Sequence, residues 1–136
     1  DKAMELYHEA GELGYAEAYF NIGIAYYNGR GVERDKKKAK YFDELAAMQG
    51  SVYARHNLGC IEARAGNWER ALKHWMISVG GGDNDSVKRI QQLYRTGGAT
   101  KDDYTKALRA YQAHLNEIKS EQRDEAAAFS AIYKYY

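Results

Sequence analysis

The stretch AYFNIGIAYYNGRGVERDKKKA, residues 18–39, decides how this chain folds. It opens with Ala18, Ile22, Ala25 and Tyr26 at the spacing that lines one face of an α-helix. Gly29 and Gly31 then break the helical pattern, and Asp35 precedes a second helical run. Glycine takes the left-handed backbone of a helix C-cap without a Cβ penalty. Aspartate offers its side-chain oxygens to the unpaired N–H groups that open the next helix. The stretch therefore encodes a helical hairpin.

Working outward, the closing Lys38-Ala39 recurs as Lys2-Ala3, Arg70-Ala71 and Lys106-Ala107, at intervals of 36, 32 and 36 residues. The opening Ala18/Ile22 pair recurs as Ala54/Leu58 and Ser86/Ile90. From Ala3 to Ala18, Ala39 to Ala54 and Ala71 to Ser86 the step is always 15 residues, whereas the return steps are 21, 17 and 21. One connection is kept and the other gains or loses four residues. Helix pairs behave this way when one turn is set by packing and the other is a surface loop. Residues 16–28, 36–49, 53–65 and 68–79 all carry helical spacing, and strand signals are missing. Gly14, Gly50 and Gly80-Gly81-Gly82 end one helix type, and Gly29, Gly66 and Gly97 the other. Asp35, Asn67 and Asp102 or Asp103 are the expected N-caps. The small Ala18, Gly23, Ala39 and Ala46 mark where helix backbones approach, with Tyr26, Trp75, Tyr94 and Tyr111 filling the seams.

The repeat turns 136 residues into nearly four periods. Twenty Lys and Arg against 19 Asp and Glu exclude a general polyanion binder. A single cysteine excludes a disulfide framework or a cysteine zinc site. Nothing approaches the ~18 consecutive apolar residues of a membrane span. The chain starts mid-helix without a Met and reads as a piece of a longer protein, so a signal peptide cannot be judged. Cys60 fits a reducing, intracellular compartment.

Residues 18–39 resemble the Sel-1-like repeat family, a relative of the tetratricopeptide repeat, through its pattern A-xxx-LG-xx-Y-xx-G-x-GV-xx-D-xx-KA. The resemblance covers residues 2 to about 119. It implies an all-α, right-handed α/α solenoid of helical hairpins. Residues 1–14 would be the second helix of a truncated repeat, and 15–50, 51–82 and 83–119 three repeats. The second repeat drops the GV loop, and the third has Ala99-Thr100 in its place and Gln91 for the internal Gly. Asp43 stands where the other copies have Tyr7, Trp75 and Tyr111, with Phe42 as the expected substitute. Beyond Ser120 the pattern stops. Phe129, Ile132, Tyr133 and Tyr136 form a stripe, read as a capping helix over residues 120–136 that covers the last apolar face.

Chemistry is sparse. His8, His56, His74 and His114 fall in four different helices with no His-x3-His pair, so no metal site is expected. Asp83-Asn84-Asp85-Ser86 lacks calcium-loop spacing and reads as an N-cap. Cys60 reads as a small buried thiol with no base in view. Lys36-Lys37-Lys38 spread around a helix start among acids, so no nucleic-acid site is expected either. No catalysis and no cofactor are expected.

Binding is expected instead. By resemblance, the first helix of each pair lines a groove, which places Glu17, Phe20, Asn21, Ile24, Tyr27 and Asn28 there. Tyr53, His56, Asn57, Cys60, Ala63 and Arg64 follow, then Asp85, Lys88, Arg89, Gln92, Arg95 and Thr96. The peptide-binding set drawn from these is Asn21, Ile24, Tyr27, Asn28, Tyr53, His56, Asn57, Arg64, Lys88, Arg89 and Arg95. Side-chain amides at Asn21 and Asn57 both donate and accept, which suits a peptide backbone. Lys88, Arg89 and Arg95 suit an acidic or carboxylate-terminated partner. The expected function is a scaffold for a protein or peptide, without membrane binding and with the oligomeric state left open. A second reading is a substrate-recruiting adaptor part of a larger enzyme assembly such as a RING-type ubiquitin ligase, because a RING-like module precedes some similar arrays.

Overall fold

The computed structural model describes residues 2–134 and is built from α-helices. In order they are α1 (Lys2–Glu12), α2 (Ala16–Asn28), α3 (Lys36–Met48), α4 (Val52–Arg64), α5 (Trp68–Gly80), α6 (Asn84–Arg95) and α7 (Lys101–Tyr133). Helix α2 packs most extensively on α3, and α4 on α5, with α3 and α4 joining one pair to the next. Both α5 and α6 pack on α7, while α1 leans on α2. The result is a helical solenoid.

The long connection between α2 and α3 shows why its glycines are there. Gly29 and Gly31 both sit at φ 70°, in the left-handed region. The chain can then double back so that Asp35 N–H donates to Tyr26 O at 3.0 Å. The Asp35 carboxylate accepts from the N–H groups of Lys37 and Lys38 at 3.0 and 3.1 Å, so it caps α3. Two other expected caps differ. Asn67 precedes α5, but its amide donates to Glu62 Oε2 at 2.8 Å instead of capping. At α7 the cap is Thr100, in a reciprocal box with Asp103.

Two apolar clusters hold the array. One joins Ala46, Ala47, Ala54 and Leu58 across α3 and α4. The larger gathers Trp75, Val79, Val87, Ile90, Leu93 and Ala107 from α5, α6 and α7. Small residues lie at the crossings: a methyl group on Gly59 would overlap the indole of Trp75, and one on Gly23 would meet Asp43 Oδ1 at 2.8 Å. Phe42 does not take the aromatic place that Asp43 leaves. Its ring stacks on Tyr26 at 5.7 Å and contacts His8 and Tyr19, while Asp43 and the Ala39 carbonyl stand over Gly23.

The tail corrects an expectation. No separate cap covers the array among the described residues: α7 runs unbroken for 33 residues, and its side chains from Lys119 to Lys134 are exposed. Phe129 and Tyr133 meet each other at 5.3 Å but lie open to solvent. Tyr136 lies outside the described residues. The physical reason is visible in the sequence. Gly98 is the last glycine, and residues 119–131 offer only residues that continue a helix, including Ala126-Ala127-Ala128.

Candidate functional site

Successive first helices share one surface, and the side chains there form two adjoining hollows. The first, about 260 Å³, is walled by Ile24, Tyr27 and Asn28 of α2 and by His56, Asn57, Cys60, Ile61 and Arg64 of α4. Gly23 and Asp43 complete it from below, and Arg89 reaches in from α6. The second, about 340 Å³, is lined by Cys60, Ala63, Arg64, Trp68, Trp75, Arg89, Gln92, Leu93 and Thr96. Cys60, Arg64 and Arg89 border both, so the hollows are continuous. They are also repeat equivalents. Stepping 36 residues takes Ile24, Tyr27 and Asn28 to Cys60, Ala63 and Arg64, and stepping 32 takes Asn57, Ile61 and Asp43 to Arg89, Leu93 and Trp75.

Seven of the eleven expected residues meet at the first hollow: Ile24, Tyr27, Asn28, His56, Asn57, Arg64 and Arg89. Arg64 Nη1 donates to the Tyr27 hydroxyl at 3.3 Å, tying α4 to α2. Four lie elsewhere. Asn21 faces a separate hollow against α1, with Met4, Tyr7 and Arg30. Tyr53 lies beside Phe20, ring centroids 6.1 Å apart, at a hollow bordered by Glu17 and Asp83. Lys88 and Arg95 are exposed and line none of these hollows, because they sit on flanks of α6 away from α4. The basic patch expected in the third repeat thus contributes a single cation, Arg89, to the shared surface.

Beside Cys60 the structure supplies the base that sequence spacing did not reveal. His56 Nε2 lies 3.4 Å from Cys60 Sγ, one helical turn away. On the other side of the ring, Nδ1 is 2.7 Å from Ser86 Oγ and 3.0 Å from Asp83 Oδ2. Ser86 spends its one hydroxyl proton on Asp83, at 2.6 Å, and therefore accepts from His56. Nδ1 then carries the proton and Nε2 is left to accept from the thiol. Asp83 also caps α6 by accepting from Ser86 N–H at 3.2 Å, as its place in the sequence indicates.

Burial raises the Cys60 thiol, but the His56 hydrogen bond and the His56 and Arg89 charges outweigh it and bring the thiol below its ordinary value. Burial lowers His56, yet its bond to Cys60 and the charges of Cys60, Asp83 and Asp85 lift it above the usual imidazole range. Cys60 should accordingly react with iodoacetamide at neutral pH faster than an unassisted thiol. Replacing His56 by Gln should slow that reaction about threefold or more and move its pH profile to higher pH. An unchanged profile in a folded variant would remove the pairing.

Asp43 is the other group that the sequence reading left aside. It is 5% exposed, and Oδ1 has no hydrogen-bond partner. Burial, with the nearby Glu44 charge, pushes its carboxyl up to about 7. Among the described residues, no cluster of His, Cys, Asp or Glu is arranged to hold a metal ion, and no helix is long and apolar enough to cross a membrane.

Comparison with known proteins agrees with the architecture. The Sel1 repeat family matches residues 1–15 and 16–51. A Sel1 repeat protein from Oxalobacter formigenes superposes with a TM-score of 0.70 at 26% identity, over 85% of this chain and 49% of that one. In both sequence and fold the chain is similar to the Sel1 repeat family. A second solved Sel1-type structure, a protective antigen with an SLR fold from uropathogenic Escherichia coli, superposes with a TM-score of 0.65 at 28% identity, over 84% of this chain and 25% of that one. Among curated relatives, the ERAD-associated E3 ubiquitin-protein ligase component HRD3 of Candida glabrata is 29% identical over 96 residues, covering 70% of this Sel1-like chain. HRD3B of Arabidopsis thaliana, described in the same terms, is 42% identical over 59 residues, 43% of the chain. The chain spans about a tenth of each of these relatives, 11% and 10%.

Proposed function

We propose that this Sel1-like array is a non-catalytic scaffold that binds a segment of another protein along the shared face of α2, α4 and α6. The observation that carries the reading is the pair of continuous, repeat-equivalent hollows. Their rims offer amides at Asn28 and Asn57 and guanidinium groups at Arg64 and Arg89. Amides can pair with a backbone of any sequence, and Arg can grip a carboxylate through two parallel bonds. Arg89 has no carboxylate partner among the described residues, which favours an acidic or carboxylate-terminated segment.

Selection of peptides from a random display library on the purified chain tests this. Enriched peptides should carry acidic residues, and replacing both Asn57 and Arg89 by Ala should weaken them about tenfold or more. Equal affinity for the folded double variant would move the binding surface elsewhere.

The two HRD3 relatives favour a second reading at the level of assembly, in which the scaffold serves as an adaptor in an E3 ubiquitin ligase. Its test is co-purification with a ubiquitin ligase from native extract. A ligase retained by the chain and lost with the double variant is the expected result. No ligase above background would leave the scaffold reading without this assembly.

A further inference from the structure

The shared face carries one group that a scaffold does not need. Cys60 is only half-buried and borders both hollows, so a small molecule reaches it from either. A cysteine kept for packing sits among apolar groups, which hold its thiol neutral and inert. The surroundings of Cys60 are of the opposite kind. His56 Nε2 is placed 3.4 Å from the sulfur to take its proton, and Asp83, 3.0 Å from Nδ1, holds the imidazolium that results. The indole N–H of Trp75 finds no oxygen or nitrogen acceptor, and the charge it favours is that of the Cys60 sulfur. Burial opposes ionisation of this thiol, but His56, Arg89 and Trp75 together outweigh it. Base, orienting carboxylate and two further donors thus converge from α4, the start of α6 and α5. The same charges select a reagent. Arg64 and Arg89 border both hollows, and neither has a carboxylate partner among the described residues. Asp83, the acid nearest the thiol, is committed to His56, Ser86 and the cap of α6.

We infer that Cys60 is a site of thiol–disulfide exchange that accepts an anionic low-molecular-weight disulfide and holds half of it as a mixed disulfide. The Cys60 thiolate attacks one sulfur of the reagent, a bond forms between the two, and the reagent's own sulfur–sulfur bond breaks. The departing thiolate takes the proton held on His56. Cys60 is oxidised, and the departing half of the reagent is reduced to a free thiol. These 136 residues hold no second cysteine, so the adduct is not resolved from within and stays until an external thiol removes it. Anionic groups on the retained half meet Arg64 and Arg89, whereas a cationic disulfide is repelled. An adduct there also keeps an acidic segment away from the same two guanidinium groups. That consequence rests on the proposed binding face; the exchange itself does not.

Intact-protein mass spectrometry of the reduced chain, incubated with oxidised glutathione or with cystamine, tests the assignment. Oxidised glutathione carries more carboxylates than ammonium groups, and cystamine is a cationic disulfide of similar chemistry. N-acetylcysteinamide, run alongside, corrects for the intrinsic reactivity of each reagent. One glutathione should add per chain, dithiothreitol should remove it, and Cys60→Ser should take up none. Relative to N-acetylcysteinamide, the chain should favour oxidised glutathione over cystamine about fivefold or more. Arg89→Ala should cut that preference about threefold or more, a change that loss of packing alone would not produce. His56→Gln should slow both reagents about threefold or more, with circular dichroism showing the fold intact. Absence of an adduct while N-acetylcysteinamide is converted overturns the assignment, as does a preference for cystamine or a folded His56→Gln variant that reacts at the parent rate. A peptide selected on the reduced chain should bind the glutathione adduct about tenfold or more weakly and recover with dithiothreitol. Unchanged affinity would overturn the consequence for binding and leave the exchange site standing.

Discussion

Replacing Trp75 by Ala should lower the free energy of unfolding by about 3–5 kcal/mol, the usual range for emptying a large aromatic site in a core. Trp75 is 3% exposed and packs with Val79, Ile90 and Leu93 in the cluster that joins α5 to α6 and α7. Its indole packs directly on Gly59, so the backbone of α4 has been brought close to receive it and cannot collapse onto an alanine. Trp75→Phe should behave differently. It keeps most of the ring in the same site, so its cost should stay within about 1–2 kcal/mol. Urea denaturation followed by circular dichroism measures both. A loss below about 1 kcal/mol for the alanine variant would mean that the seam is not closed by this ring.

Replacing Asp43 by Asn should make the protein more stable at pH 8 and, by a smaller margin of about 1–2 kcal/mol, at pH 5. Burial and the Glu44 charge raise the folded carboxyl to about 7, against 3.8 for the free side chain. Below the lower value both states are protonated and the group contributes nothing to the pH dependence. Between the two values the unfolded chain is ionised and the folded one is not, so stability falls as pH rises, by about 1.4 kcal/mol per unit. Above about 7 the loss is complete. From pH 5 to pH 8 the wild type should therefore lose about 2–3 kcal/mol that the Asn variant keeps. The shifted histidines, His56 and His74, are present in both proteins and largely cancel in the difference. Parallel stability curves for the two proteins would show that Asp43 ionises without hindrance.

Much of the fold was legible because its signals are local. Repeat spacing, glycine stops and the Asp35 cap each act within a few residues, and each needs no knowledge of the rest of the chain. The tail misled for a related reason. Phe129, Ile132 and Tyr133 carry a helical stripe, but a stripe does not say whether a turn separates it from the helix before it. The missing glycine after Gly98 was the better guide. The site divides in the same way. Ile24, Tyr27, Asn28, Asn57 and Arg64 fall at repeat-equivalent places, so the register of the helices was enough to group them. The partnership of Cys60, His56 and Asp83 depends on α6 crossing α4 so that Asp83 meets a residue 27 positions earlier. No spacing rule reports such a crossing. Asp43 was visible as a departure from its aromatic equivalents, yet only the structure shows its carboxyl left unpaired beneath a hollow.

The central claim, that the face of α2, α4 and α6 receives a protein segment, is tested most directly by mapping where one binds. A peptide selected on the chain should be titrated into ¹⁵N-labelled protein and the amide shifts followed residue by residue. Shifts centred on Asn28, Asn57, Arg64 and Arg89, and reduced by the Asn57→Ala/Arg89→Ala variant, are the predicted result. Shifts confined to α3 and α5, or to the exposed half of α7, would contradict it.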